Sequence, residues 1–592
     1  MPESQKKRLM LTALGKMAAD LVITGGTLID VYTQRVIPRR SIALCGPSIA
    51  YVGPDASHTI GRDTHIIDAD GRVLSPGYID SHTHIDKYWL TTEFLRYAMP
   101  GGTTSYITNL SSYGLAGRKG IEAFLSQIED LPVDIRCLVP PLVSLSPAVR
   151  SRCIDHHGLA ALLRDEKVIG IGESYWQELV NGDGARVLKL METVEAAGKV
   201  IEGHGAGAVD KKLAAYTATG VGSCHEAITP GDLLQRLEMG LYAMVREGDI
   251  RRDLKILPPI IDTIDTRRVI LVTDGTNPEA LVRHGYFVDV LQKAVDMGLD
   301  PVRVVSMATL NPATYLGIDH QVGGLAPGRM GNILILPDLH RLRPEVVIAK
   351  GQVVAENGRA AVSLPSQPPR TFLLDTVRIP EVTAERLRTP QIGHDAMVRC
   401  LNIDAGGLVA REAICEAPAL SGAFVQDPEH DLLKLAFMER VTGNGECFTG
   451  FIRGWGARKG AVATTLCWDA CGVIAAGADD GDMALAMNTV ARMRGGVAVA
   501  VDGTVLFSMP FPVAGYVSTL PMTDLAEGFG RFQALMKSLG SSLDFALRTL
   551  GTLTSAAIPF FRITEKGYYR FKERQTIGYR MDTSEPFRST LP

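Results

Sequence analysis

Between Tyr78 and Asp274 eight short apolar segments follow one another, each succeeded by a stretch with helical spacing, and this alternation constrains the chain more than any other feature. The segments are Tyr78 to His82, Thr103 to Asn109, Ile135 to Val143, Val168 to Glu173, Val200 to His204, Gly222 to Glu226, Tyr242 to Arg246 and Val269 to Asp274. Between the sixth and the seventh, Leu233, Leu234, Leu237 and Met239 recur at helical spacing from Gly231 to Gly240. Strand followed by helix, repeated, builds a parallel sheet, and eight repeats in about 240 residues suit a (β/α)8 barrel. In such a barrel chemistry is done at the C-terminal ends of the strands.

The residues standing at those ends share one chemistry. The first segment closes on His82 and His84, and side chains two apart on an extended strand point to one face. Later ends carry Gly172-Glu173-Ser174, Gly203-His204-Gly205, Cys224-His225-Glu226 and Thr273-Asp274-Gly275. Four imidazoles and two carboxylates thus converge on one barrel mouth, enough for two divalent cations to share. A bridging carboxylate lets two ions approach within about 4 Å, and the water between them loses a proton near neutral pH. An isolated His-x-His is as well explained by a surface loop, and a single strand-end glutamate by solvation. Recurrence at successive strand ends is what those explanations do not cover.

The flanks and the remainder read differently. From Asp20 to Ile67 short β-like segments alternate with turns, and the same texture returns in Gly331 to Leu336 and Val346 to Val354. The expected architecture is therefore α/β, a (β/α)8 barrel (residues 76–315) inserted in a small β-sandwich (1–75 and 316–364). After Pro365, Pro368 and Pro369 a C-terminal mixed α/β domain follows (365–592), including an amphipathic stretch from Asp482 to Met493 and a strand-turn-strand around Asp502-Gly503. At 592 residues, two to four domains are expected. Hydrophobic residues at 46% and a net charge of -4 exclude a disordered chain and give no basic face for nucleic acid. The apolar run from Leu9 to Leu14 is too short for a signal and reads as a surface helix; no membrane span is expected, and the location is expected to be cytoplasmic. Nine cysteines without a CxxC pair suit reduced thiols.

With these motifs in hand, the sequence resembles the amidohydrolase superfamily and, within it, the adenine deaminase family. Besides the strand ends, the resemblance includes Pro76-Gly77-Tyr78-Ile79-Asp80, Met244 to Gly248, Met307 to Ala313, Leu325 to Gly328, and Gly477 to Ala484 with Asp479, Asp480 and Asp482. It implies a binuclear centre of manganese, iron or zinc, with His82 and His84 on one ion, His204 and His225 on the other, and Glu173 bridging. Asp274 would bind metal and carry protons as general base and then acid, with Glu226 the next catalytic candidate. Arg246, Asp86, Trp468 and Asp469 are the candidates for substrate contacts. The implied activity is hydrolysis of a C–N bond, a metal-bridged hydroxide deaminating adenine or a related amino-substituted ring. Hydrolysis of a lactam or other amide on the same centre is one alternative, and a catalytically silent binding protein another. The expected partner is a small-molecule substrate, and a homodimer is expected.

The chain also departs from the family pattern. Asp86 stands where those enzymes have glutamate, Asn109-Leu110-Ser111-Ser112 where they have Asp-Pro-His-Glu, Gly275 where they have aspartate, and Trp468-Asp469-Ala470-Cys471-Gly472 where they have His-Asp-Ser-His-Asn. The metal ligands are kept while their polar surroundings change, which predicts a pocket altered for adenine and better suited to a related ring.

Overall fold

A computed structural model describes residues 3–181, 184–391 and 396–581. It divides into two compact units, one of Met1–Leu110, Glu122–Pro141 and Asp155–Gln367, the other of Ser111–Ile121, Leu142–Ile154 and Pro368–Pro592.

In the first unit the two flanks fuse into one nine-stranded sheet. The seam is strand Val73–Pro76, which pairs antiparallel with Ile333–Leu336 and parallel with the second half of Leu21–Asp30. Strand Leu21–Asp30 carries a register break at Gly26, so its first half can pair with His65–Asp68 instead. Apolar side chains from both flanks, including Leu28, Ile42, Leu74, Ile333 and Ile348, close on a common core. The N-terminal segment is a helix, Glu3–Ala13, that buries only Leu9 and Thr12.

Inserted between Pro76 and Ile333 is the barrel. Its strands are β1 (Tyr78–Thr83), β2 (Thr103–Asn109), β3 (Asp134–Val139), β4 (Val168–Tyr175), β5 (Val200–His204), β6 (Ser223–Cys224), β7 (Tyr242–Arg246) and β8 (Val269–Val272). All seven adjacent pairs are parallel. The ring is nearly closed where Asp274 N–H donates to His82 O at 3.0 Å and Thr273 N–H to Asp80 Oδ1 at 3.3 Å. Its apolar filling joins Ile79, Ile107 and Leu138 to Ala313, Leu316, Ile318 and Val322.

Three strands are shorter than their apolar patterns predict; of these, β8 stops at Val272, two residues before Asp274. β3 stops at Val139 because Pro140 and Pro141 have no N–H to give the ladder. β6 spans two residues, so His225 and Glu226 sit beyond its end, in the loop. The predicted helix after β6 forms as Pro230–Glu238, opened by a capping box between Thr229 and Asp232.

The second unit is built on an eight-stranded sheet. Helix Asp480–Arg492 lies on it, with Met483, Ala486, Met487 and Val490 packed on Ala436, Ala463, Ala475 and Ala498. Small residues on the strands let the helix approach closely. Asp502 and Gly503, both at positive φ, form the tight turn between Gly496–Val501 and Thr504–Pro510. Asp482, buried on the helix, accepts both turn N–H groups, at 3.0 Å from Asp502 and 2.8 Å from Gly503.

Candidate metal centre at the barrel mouth

The strand ends bring His82, His84, Glu173, His204, His225 and Asp274 together. Glu173 is at the middle: its Oε1 lies 3.9 Å from His82 Nε2, 3.7 Å from His84 Nε2, 3.8 Å from His204 Nδ1 and 3.7 Å from His225 Nε2. Each of these is too long for a hydrogen bond. Asp274 Oδ1 stands 3.1 Å from His82 Nε2 and 3.4 Å from His84 Nε2. By proximity of donor atoms, two groups form, His82 with Glu173, His225 and Asp274, and His204 with His225 and Glu226. His225 is common to both, its ring stacked on that of His82 with centroids 4.0 Å apart.

Local backbone geometry puts these side chains where they are. The β4–β5 register slips between Ile201 and Gly203, and at that slip Glu173 adopts φ +26°. Asp274 is held at φ +54°, also outside the ordinary regions for a non-glycine residue. Strained conformations of this kind cost roughly 1–3 kcal/mol each and are kept where the surroundings enforce them. Gly203 lets β5 approach β6, since a Cβ there would stand 2.4 Å from Ser223 O.

The charges are strongly coupled. Burial disfavours imidazolium, yet Glu202 and Asp274 outweigh it at His82 and hold its pKa well above the usual value. At His84 the same contest, won by Glu173 and Asp274, lifts the pKa to about 10. His225 goes the other way, well below normal, because burial and the positive charge of His82 and His204 act together. Burial pushes Glu173 and Asp274 up, and the surrounding imidazoles outweigh it and leave both below the usual carboxylate range.

This donor set fits divalent cations. Ligand atoms about 2.1 Å from one ion stand roughly 3–4 Å from each other, the spacing found around Glu173 Oε1. His204 Nδ1 and His225 Nε2 face each other at 2.9 Å, so without a cation one of the two must carry a proton. Mixed imidazole and carboxylate donors suit manganese, iron or zinc alike.

The candidates for proton transfer and substrate contact are placed as follows. Glu226 Oε1 is 3.7 Å from His204 Nδ1 and 3.6 Å from His225 Nε2. Arg246, almost wholly buried, is engaged by three carboxylates: Glu226 through a short contact, Asp274 Oδ2 at 3.3 Å and Asp253 Oδ2 at 3.2 Å. Asp86 is buried two residues past His84; burial first, and then the charge of Asp86, hold the Cys137 thiol well above its usual pKa. In the second unit, Trp468 is half-buried and its carbonyl accepts from Thr554 Oγ1 at 2.7 Å. Asp469, at φ +56°, accepts from Ser555 Oγ at 2.6 Å and from Ala556 N–H at 3.1 Å.

Two acidic residues of this site carry no assignment from sequence. Glu202 is buried with Oε1 2.9 Å from His82 Nδ1. It stands two residues before His204, so strand periodicity could have placed it on the same face. Asp253 has no comparable local signal.

Residues 232–356 match the model of the amidohydrolase family, and residues 408–575 match that of the adenine deaminase C-terminal domain. Over 572 residues the chain is 34% identical to an adenine deaminase of Moorella thermoacetica, an alignment covering 95% of this chain and 96% of that one. An adenine deaminase of Rubrobacter xylanophilus is 34% identical over 591 residues, covering 97% and 96%. One of Dehalococcoides mccartyi is 32% identical over 571 residues, covering 95% and 97%.

Proposed function

The chain belongs to the adenine deaminase family, and from that premise we propose that it replaces the exocyclic amino group of adenine with oxygen, releasing ammonia. A hydrolase acting on C–N bonds other than peptide bonds is what family membership establishes. The observation that carries the finer reading is Glu173 Oε1 standing 3.7–3.9 Å from four imidazole nitrogens, a set able to hold two ions with the carboxylate between them. His82, His84, Glu173, His204, His225 and Asp274 would be the ligands, and manganese, iron or zinc the metal.

Divalent ions in this site would supply Lewis acidity, lowering the pKa of a water and neutralising charge that develops on the ring. The protein's own groups move the protons. Asp274, turned inward with Oδ1 toward His82 and His84, takes a proton from the attacking water and gives it to the departing amine. Arg246 ties Asp274 Oδ2 and Glu226 into one fork and so orients both carboxylates, leaving Glu226 as the second proton carrier. No described helix is long and apolar enough to cross a membrane, so nothing in the described helices sets the site in a bilayer.

Adenine takes precedence over a related ring because relatives at 34% identity over nearly the full length are adenine deaminases. The second reading rests on Asn109, which stands where the family has aspartate. Asn109, at the end of β2, is fully buried with neither amide atom hydrogen-bonded among the described residues, and it fills the space that a Cβ on Gly172 would need. A pocket reading donor and acceptor together would use such an amide. Ammonia release from adenine by protein loaded in turn with manganese, iron and zinc decides. We expect kcat/KM of about 10⁴ M⁻¹s⁻¹ or more. Absence of ammonia release from adenine with every metal, beside turnover of another aminated heterocycle or opening of a lactam ring, would overturn the proposal.

A further inference from the structure

The reaction just described makes no use of Glu202, although it is fully buried in the same barrel. It lies on β5, four strands from β1 in either direction around the ring, and its Oε1 stands 2.9 Å from His82 Nδ1. Its other oxygen, Oε2, is buried with no hydrogen-bond partner among the described residues. His82 is thus the partner that offsets the burial of this carboxylate. On its opposite edge, the His82 ring directs Nε2 to Asp274 Oδ1 at 3.1 Å and to Glu173 Oε1 at 3.9 Å.

A neutral imidazole carries one N–H and one lone pair, and either nitrogen can hold the proton. A carboxylate accepts and does not donate, so Glu202 holds a proton on Nδ1; Asp274, 3.1 Å from Nε2, would hold one there as well until a cation takes that proton's place. The lone pair is then left on Nε2, facing Glu173 and Asp274. The ring is also held against rotation, which matters for a side chain whose ring stacks on that of His225. Carboxylates in this relation to a ligating histidine orient the ring and raise its basicity.

We infer that Glu202 is a positioning residue for the metal centre, holding His82 in its Nδ1-protonated form so that Nε2 is the donor. This rests on the reading of the barrel mouth as a metal site. The wild-type protein tests it directly, loaded with diamagnetic zinc and labelled with ¹⁵N-histidine, with the His82 signals assigned by their loss in His82→Asn. Nδ1 of His82 should be protonated and Nε2 not. Glu202→Leu should weaken manganese binding about tenfold to a hundredfold, and Glu202→Gln, whose carbonyl still accepts from Nδ1, by less than tenfold. Protonation of His82 on Nε2 in the zinc-loaded wild type would overturn the inference. So would Glu202→Leu binding manganese within about twofold of wild type, or Glu202→Gln losing as much as Glu202→Leu. Should Glu202→Leu fail to fold, the wild-type spectrum and Glu202→Gln still decide. A wild type that takes up neither zinc nor manganese would overturn the metal-site reading itself, a result distinct from these.

Discussion

Two carboxylates, half-buried Glu173 in the barrel and buried Asp482 in the C-terminal unit, meet the loss of water in opposite ways. Asp482 spreads its two oxygens over two backbone N–H groups at 2.8 and 3.0 Å, donors that are neutral and cannot titrate. It sits in a regular helix whose first turn is capped by Asp479. Glu173 has four titratable nitrogens around one oxygen, all beyond hydrogen-bonding distance, and a backbone at φ +26°. The Asp482 arrangement is complete as it stands and fixes a turn. The Glu173 arrangement is balanced only by charge, which protons on the imidazoles or cations between them can supply. A carboxylate settled by fixed donors is structural; one settled by exchangeable charge can serve a reaction.

The largest expected effects lie on the exchangeable side. Asp274→Asn should lower kcat about a hundredfold or more while most of the metal stays bound, because four histidines and Glu173 remain. Glu173→Gln should instead lose metal, since an amide has no charge to set against two cations. Metal analysis beside kcat separates the two variants. Equal metal loss in both would show that Asp274 is mainly a ligand, and undiminished metal in Glu173→Gln would break the comparison at its centre.

Asp482→Ala should act on folding alone. Two backbone N–H groups lose their acceptor, and since Asp502 and Gly503 are exposed and water can replace it, the loss is about 0.5–1.5 kcal/mol for each hydrogen bond. The C-terminal unit should unfold earlier in a thermal scan, with metal content per folded chain unchanged. A fall in metal content in this variant would mean that the two carboxylates are not independent.

The smallest effect is on pH dependence and sharpens the contrast. In the metal-free protein His84 has its pKa raised to about 10 from an ordinary 6.5. A group whose pKa is raised on folding stabilises the fold fully below its unfolded value and loses that contribution as pH rises through the folded value. Metal-free protein should therefore lose stability between pH 6.5 and 10 more steeply than metal-loaded protein, and metal affinity should rise across the same window as protons are displaced. Parallel stability curves with and without manganese would contradict an exchangeable balance.

The order of eight strands, the inserted barrel and the residues gathered at its mouth were legible in the sequence because each rests on local periodicity. An apolar segment that ends in a ligand-type residue names both a strand and what stands at its tip, as with Tyr78 to His84 and Val200 to His204. The turn Asp502-Gly503 was legible for the same reason, since turn chemistry is held in two residues. Tertiary structure alone decided that Glu202 meets His82 from the far side of the ring, that Arg246 is shared by Glu226, Asp253 and Asp274, and that the two flanks, expected together from their common texture, pair as one nine-stranded sheet. Such contacts depend on the register accumulated around the whole barrel and on where it closes, between His82 and Asp274. Periodicity tells which face of a strand a residue occupies; only closure of the ring tells which residue it will meet there.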